Sequence, residues 1–193
     1  MLKRKKHQTI LVAFILVTGC GGRNVDVGTD AGSGDANQPM ISDWEFEPDD
    51  KGEGSPAITL KLEKIEGTQA QLGIEGRGLP RLQGLAFRLV FGPNGKSEVI
   101  ETKPGINWLT GGTKFVSKFS LRPEGELWGG IGHEGSYGMD ATTPTVLATV
   151  TLKLNSSKPV EISFRPKHNL VLDPDGKQIE VLWLGGRFVP KMP

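Results

Sequence analysis

Between Trp44 and Pro193 apolar and polar side chains alternate with a period of two, in runs that Gly or Pro interrupt roughly every eight to twelve residues. Successive side chains of an extended chain point to opposite faces, so such a run buries one face only as a β-strand. Ile58, Leu60 and Leu62 fall on one face of 58–65, with Thr59, Lys61 and Glu63 on the other. The pattern resumes in 70–75 after a Glu66-Gly67 turn, and again in 85–91, where Leu85, Phe87, Leu89 and Phe91 share one side. That run predicts a central strand. Further strands are predicted over 97–102, 114–121, 126–131, 146–154, 160–164, 170–172 and 179–189, the last broken at Gly185-Gly186.

No window of about a dozen residues carries the 3.6-residue repeat of an amphipathic helix. About nine or ten short antiparallel strands in a domain of roughly 150 residues, 44–193, predict an all-β fold of two sheets packed face to face. A closed barrel is the alternative. No internal repeat at a fixed period is visible.

The start of the chain has a different grammar. Lys3, Arg4, Lys5 and Lys6 precede an uncharged stretch, Ile10 to Val17, which is far shorter than the roughly 20 residues a spanning helix needs. The stretch Val17-Thr18-Gly19-Cys20 resembles the lipobox of bacterial lipoproteins, and it holds the one cysteine of the 193 residues. The resemblance implies that residues 1–19 are a cleaved signal peptide and that Cys20 carries the lipid. Two or more acyl chains suffice for stable membrane attachment. An ordinary secretory leader with an incidental cysteine is the other reading.

Residues 20–43 are rich in Gly, Asp, Asn, Ser and Ala, and poor in large apolar side chains. Such a segment buries too little surface to offset its ordering entropy, and is expected to be a flexible tether. Losing the four leader cations takes 23 basic residues to 19 against 22 acidic ones, a mature balance of −3 with no basic block. Nucleic acid is therefore not an expected partner. With its one thiol acylated, the mature chain is expected to have no disulfide.

Within the domain, Gly84-Leu85-Ala86-Phe87-Arg88-Leu89-Val90-Phe91-Gly92-Pro93 resembles the early strand and following turn of cohesin modules. The stretch from Val146 to Leu154 resembles a later cohesin strand with its alanine-threonine pair, and 172–179 resembles the hairpin before the last strand. Together these span most of 57–189. The resemblance implies a nine-stranded jelly-roll sandwich that serves as a receptor for a partner module, the dockerin in cellulosomes, or as a surface binding module elsewhere. Related sandwiches bind carbohydrate. No dockerin-contacting residue is carried over, because the His133-Glu134-Gly135-Ser136-Tyr137-Gly138 loop has no counterpart in the pattern.

Signals of catalysis are few. His133 and His168 are the histidines outside the leader, no serine stands in a Gly-x-Ser-x-Gly elbow, and Cys20 is committed to lipid. Adjacent His133 and Glu134 would point to opposite faces of a strand, which is poor metal-ligand geometry. Asp173-Pro174-Asp175-Gly176 shares Asp-x-Asp-Gly with a calcium loop, but position twelve, where that loop needs a bidentate glutamate, is Leu184. A turn accounts for these four residues. No catalytic residue, metal or cofactor is assigned. Trp44, Trp108, Trp128 and Trp183 could form an aromatic platform for sugars, although strand phase puts Trp183 in the core and Trp128 outward.

The expected function is a lipid-anchored, non-enzymatic binding module of the cell envelope, on an outer membrane or cell surface, that recognises another secreted or envelope protein, a dockerin-like one included. The alternatives are carbohydrate recognition and an envelope hydrolase.

Overall fold

The computed structural model describes residues 43–49, 56–92, 97–109 and 114–191. The leader, Cys20, the tether up to residue 42 and Pro93 lie outside them. Fourteen strands follow one another: β1 Trp44–Pro48, β2 Ala57–Glu66, β3 Gln69–Arg77, β4 Leu79–Leu82, β5 Gly84–Phe91, β6 Ser97–Pro104, β7 Phe115–Leu121, β8 Glu126–His133, β9 Met139–Ala141, β10 Thr145–Leu154, β11 Val160–Phe164, β12 Leu170–Leu172, β13 Leu182–Leu184 and β14 Gly186–Pro190. They build a first sheet in the order β1-β14-β11-β5-β8-β7, with β12 also against β5. A second sheet runs β13-β2-β3-β10-β6, and β4 pairs with β9 as a separate ribbon.

This is the two-sheet sandwich that alternation predicts, and its core is the inward half of that alternation. Leu85, Phe87 and Leu89 of β5 and Leu127 and Ile131 of β8 face Leu72 and Ile74 of β3 and Val150 and Leu152 of β10, all buried in one cluster. Phe87 sits among two other rings, 6.4 Å from both Phe119 and Phe164. Across the sheet it pairs with Gly129, where a Cβ would come within 2.2 Å of the Phe87 ring. Only a residue without a side chain leaves room for that ring.

Four features depart from the expected pattern. The described residues hold more than nine or ten strands, because Trp44–Pro48, Leu79–Leu82 and Met139–Ala141, short segments of which the first two contain a proline, were not among those the alternation marks. Residues 179–181 are outside the strands, and Leu182–Leu184 runs parallel to β2 in an otherwise antiparallel sandwich. That parallel neighbour helps cover the start of β2, so Thr59, predicted to face outward, is 6% exposed. Finally, β11 and β12 lie on the same side of β5 with Arg165–Asn169 looped out between them.

The side chain of Asn169 closes that gap. Its Oδ1 accepts the Arg88 backbone N–H at 2.9 Å, and its Nδ2 donates to the Arg165 carbonyl at 2.8 Å. One amide side chain thus does the work of missing ladder bonds. On the far side, the 3-10 helix Ile106–Leu109 turns β6 toward β7 and drives Trp108 into the core, fully buried, with its indole N–H donating to the Leu147 carbonyl at 2.8 Å.

Candidate functional site

The register of the first sheet fixes which side chains share its outer face. Gly84, Ala86 and Arg88 of β5 lie opposite Gly132, Gly130 and Trp128 of β8, and these lie opposite Val116, Lys118 and Ser120 of β7. On the other side of β5, Leu170 and Leu172 flank Ala86 and Gly84. Three glycines and an alanine make a floor with almost no side-chain height. Leu170 and Leu172 rise along one side, and Val116 and Lys118 along the other, enclosing a groove of about 450 Å³. Val116 is 57% exposed at the rim of this groove. A Cβ added at Gly130 meets no atom within 4 Å, so the floor is open above.

One step further along the same face the floor ends at a cluster of charge. Trp128 is flanked by Arg88 from β5 and by Arg122 from the β7–β8 turn, with guanidinium carbons 3.7 and 4.1 Å from the indole centroid. The turn is fixed by the Arg122 N–H donating to the Glu126 carbonyl at 2.8 Å. The Glu126 carboxylate is 5% exposed by residue, and both its oxygens are engaged. Oε2 accepts the Trp128 indole N–H at 3.1 Å, and Oε1 accepts Arg165 Nε at 2.8 Å, with Arg165 Nη2 2.5 Å away. The Trp128 hydrogen bond first, then Arg165 and the charge of Arg88, hold the Glu126 carboxyl below its usual range against the effect of burial.

His133, at the end of β8, points the other way. It is buried, 5.1 Å from the Trp108 ring and 4.6 Å from Tyr137, and burial pushes its pKa down. The loop after it is held by Gln83, whose side-chain amide donates to the Gly135 carbonyl and whose own carbonyl accepts the His133 N–H. His168 is exposed in the loop between β11 and β12, next to Asn169 on Arg88. From Gln83 to Arg88 is five residues of strand, about 17 Å, so the two histidines do not converge.

The turn reading of Asp173-Pro174-Asp175-Gly176 has direct support. Asp173 Oδ1 accepts the N–H groups of Asp175 and Lys177, both at 2.9 Å, and Gly176 adopts φ +75°. Pro174 packs on Gly138, whose added Cβ would fall 2.5 Å from the Pro174 ring. Of the four tryptophans, Trp44 and Trp108 are buried, and Trp183 is half-buried against Phe164 at 5.1 Å. Trp128 alone lies on the outer face, and there it stacks with arginine. Strand phase anticipated its direction. The partners Arg88, Arg122 and Arg165 were missed, since only the pairing of three distant segments brings them together; the visible signal was an arginine inside the apolar run of β5.

No protein-family model matches the chain, and no curated protein sequence matches it. Solved structures do. The second type II cohesin module of a cellulosomal adaptor scaffoldin of Acetivibrio cellulolyticus superposes with a TM-score of 0.57 over 72% of this chain and 98% of that one, at 12% identity. A non-cellulosomal cohesin of the archaeon Archaeoglobus fulgidus gives 0.50 over 65% and 85%, at 13% identity. A cohesin in a type I cohesin–dockerin complex of Clostridium thermocellum gives 0.51 over 64% and 85%, at 17% identity. At such identities the likeness is one of architecture, and the sandwich has a cohesin-like fold.

Proposed function

We propose that this chain is a lipid-anchored binding module of the cell envelope, which holds another secreted or envelope protein on the outer face of β12, β5, β8 and β7. The observation that carries the reading is the groove with a floor of Gly84, Ala86, Gly130 and Gly132 and largely apolar walls, half-buried Leu170 and Leu172 on one side and exposed Val116 beside Lys118 on the other. A strand surface stripped of side chains lets a partner's backbone come close, and the apolar walls supply the burial that association needs. Solved cohesins of similar fold are seen in complexes with dockerins, so a dockerin-like module is the first partner to test. Cys20 supplies the membrane attachment and residues 20–43 the reach.

Two measurements test this. Metabolic labelling with a fatty acid should mark the wild-type chain in a bacterial envelope and leave Cys20→Ala unlabelled; an unmodified mature N-terminus elsewhere would remove the anchor. For the binding face, proteins crosslinked to the full chain in the envelope and secreted fractions should be lost from Gly130→Gln, which fills the groove, and kept by Thr149→Gln on the second sheet. Retention by both variants would remove the groove as the docking face.

A further inference from the structure

The cluster beside the groove specifies the chemistry of what docks there. Arg88 and Arg122 converge on the Trp128 ring, while Arg165 and the Trp128 N–H already occupy both oxygens of the neighbouring Glu126 carboxylate. Among the described residues, the Arg165–Glu126 contact is the only ion pair in the cluster. The excess of cations stands on a mature chain with a balance of −3, so it is a local arrangement.

Stacking matters as much as charge. A guanidinium lying on an indole keeps its flat face on the ring and leaves its N–H edge free to form paired hydrogen bonds to a carboxylate. Trp128 is itself fixed by Glu126, so both arginines are held before any ligand arrives, and less side-chain entropy is lost on binding. Trp128 is the next outward position after Gly130 on β8, about 7 Å away along the strand. A segment lying in the groove therefore reaches the arginines within about two residues.

We infer that the protein segment docked in the groove carries an acidic side chain, Asp or Glu, beside its apolar residues, and that Arg88 and Arg122 bind this carboxylate. The inference rests on the groove being a protein-docking face. Charge complementarity selects the occupant, because an isolated small anion would leave the apolar walls uncovered.

The probe is a library of random 15-residue peptides displayed on phage, selected on the full chain in detergent, with the affinities of synthetic winners measured by calorimetry. The winners should combine apolar residues with Asp or Glu. They should bind Arg88→Gln/Arg122→Gln at least about tenfold more weakly, bind Arg122→Gln alone with an intermediate loss, and be indifferent to Lys61→Gln on the other sheet. Equal melting temperatures would establish that the variants are folded, and Arg122→Gln, in a turn, keeps the test valid if the double variant is not. Winners that lose binding in Gly130→Gln but lack acidic residues and ignore the arginine variants would overturn the inference and leave the docking face standing. Winners indifferent to Gly130→Gln would overturn the docking face itself. Arginine-dependent retention of heparin without peptide winners would overturn the inference in favour of a sulfated polymer.

Discussion

On the second sheet the outward positions of neighbouring strands are Lys61, Gly73, Thr149 and Lys103; on the first, the matching positions are Ala86, Gly130 and Lys118. The inner strands of both rows, β3 and β10 in one sheet and β5 and β8 in the other, have buried inner faces, yet the two surfaces differ. Lys61 lies 3.5 Å from Glu75 and 3.9 Å from Glu63, and Lys103 lies 2.7 Å from Glu101. Even the glycine of that row is roofed, since the Glu63 side chain sits where a Gly73 Cβ would contact it at 3.0 Å. On the first sheet the floor is bare and the adjacent cations outnumber their carboxylate. Core formation dictates the inward half of each strand and is indifferent to the outward half. Side-chain length and charge pairing on the outward half distinguish a face meant for water from one with ligand capacity.

The comparison breaks most severely if the inner face is damaged, because both surfaces hang from it. Phe87→Ala should destabilise the domain by about 3–5 kcal/mol, the usual cost of emptying an aromatic site in a packed core. Gly129→Ala should cost about 1–3 kcal/mol or more, because the methyl collides with the same ring. Arg88→Ala, one residue along β5, should cost far less. Denaturation midpoints at equal slope would rank the three, and a large loss in Arg88→Ala with a small one in Phe87→Ala would mean that the strand is shifted by one residue.

Asn169→Ala should come next, at about 0.5–1.5 kcal/mol, since the strand break loses the substitute hydrogen bonds of a half-buried amide. It sharpens the contrast, because here a half-buried amide completes the ladder, whereas the Leu147 carbonyl at the register shift of β10 in the second sheet is held by the fully buried Trp108 indole. Hydrogen exchange at the Arg88 amide would report it directly. Exchange as slow in the variant as in the parent would show that the loop re-pairs without Asn169.

His133 supplies a prediction that acid should reveal. Burial lowers its pKa in the folded chain below the ordinary value near 6.5 of the unfolded chain. As pH falls below about 6.5 the unfolded state takes up the proton first, so stability is full above that pH and declines down to the folded pKa. Thermal melts between pH 7.5 and 5.5 should show this decline in the parent and a flatter profile in His133→Gln. The lowered carboxyls of Glu126 and Asp140 act in a separate window, below about 4.5, and do not confuse the reading. A parent whose melt is flat down to pH 5.5 would contradict the buried, neutral ring.

What could be read from the chain before folding follows the same division between inner and outer residues. The register of β5 was legible because four apolar side chains repeat without a fault from Leu85 to Phe91, and the turn at Asp173 because four residues within one segment determine it. The strands β1 and β4 were not, since each is short and holds a proline, Pro48 or Pro80, which argues against a strand, and β9 is three residues between Gly138 and the Thr142-Thr143-Pro144 bend. The parallel β13 was not, since strand direction is set by where the chain returns. Gly130 and Gly132 carried no obvious message in sequence, and became a groove floor only through their opposition to Ala86 and Gly84. His133 and Glu134 were weighed as metal ligands from adjacency, whereas packing on Trp108 and Tyr137 decides what the histidine does.

The smallest effect expected is also the sharpest control on the comparison. Lys103 is 62% exposed by side chain, and its 2.7 Å contact with Glu101 lies on the outer face of the second sheet. An ion pair so open to water is worth about 0–1 kcal/mol, because solvent screens the attraction and two long side chains lose freedom in making it. Lys103→Gln should therefore shift the melting midpoint by little, and raising the salt concentration should remove what shift there is. Peptide or protein binding should be unchanged, since this cation faces away from the groove. Arg122 is exposed as well, so exposure alone predicts that Arg122→Gln will be equally silent in binding. If stacking on Trp128 is what turns an exposed cation into a recognition group, the two variants will match in stability and diverge in affinity. Equal affinities would make the arginines beside the groove no different from the lysines that face water.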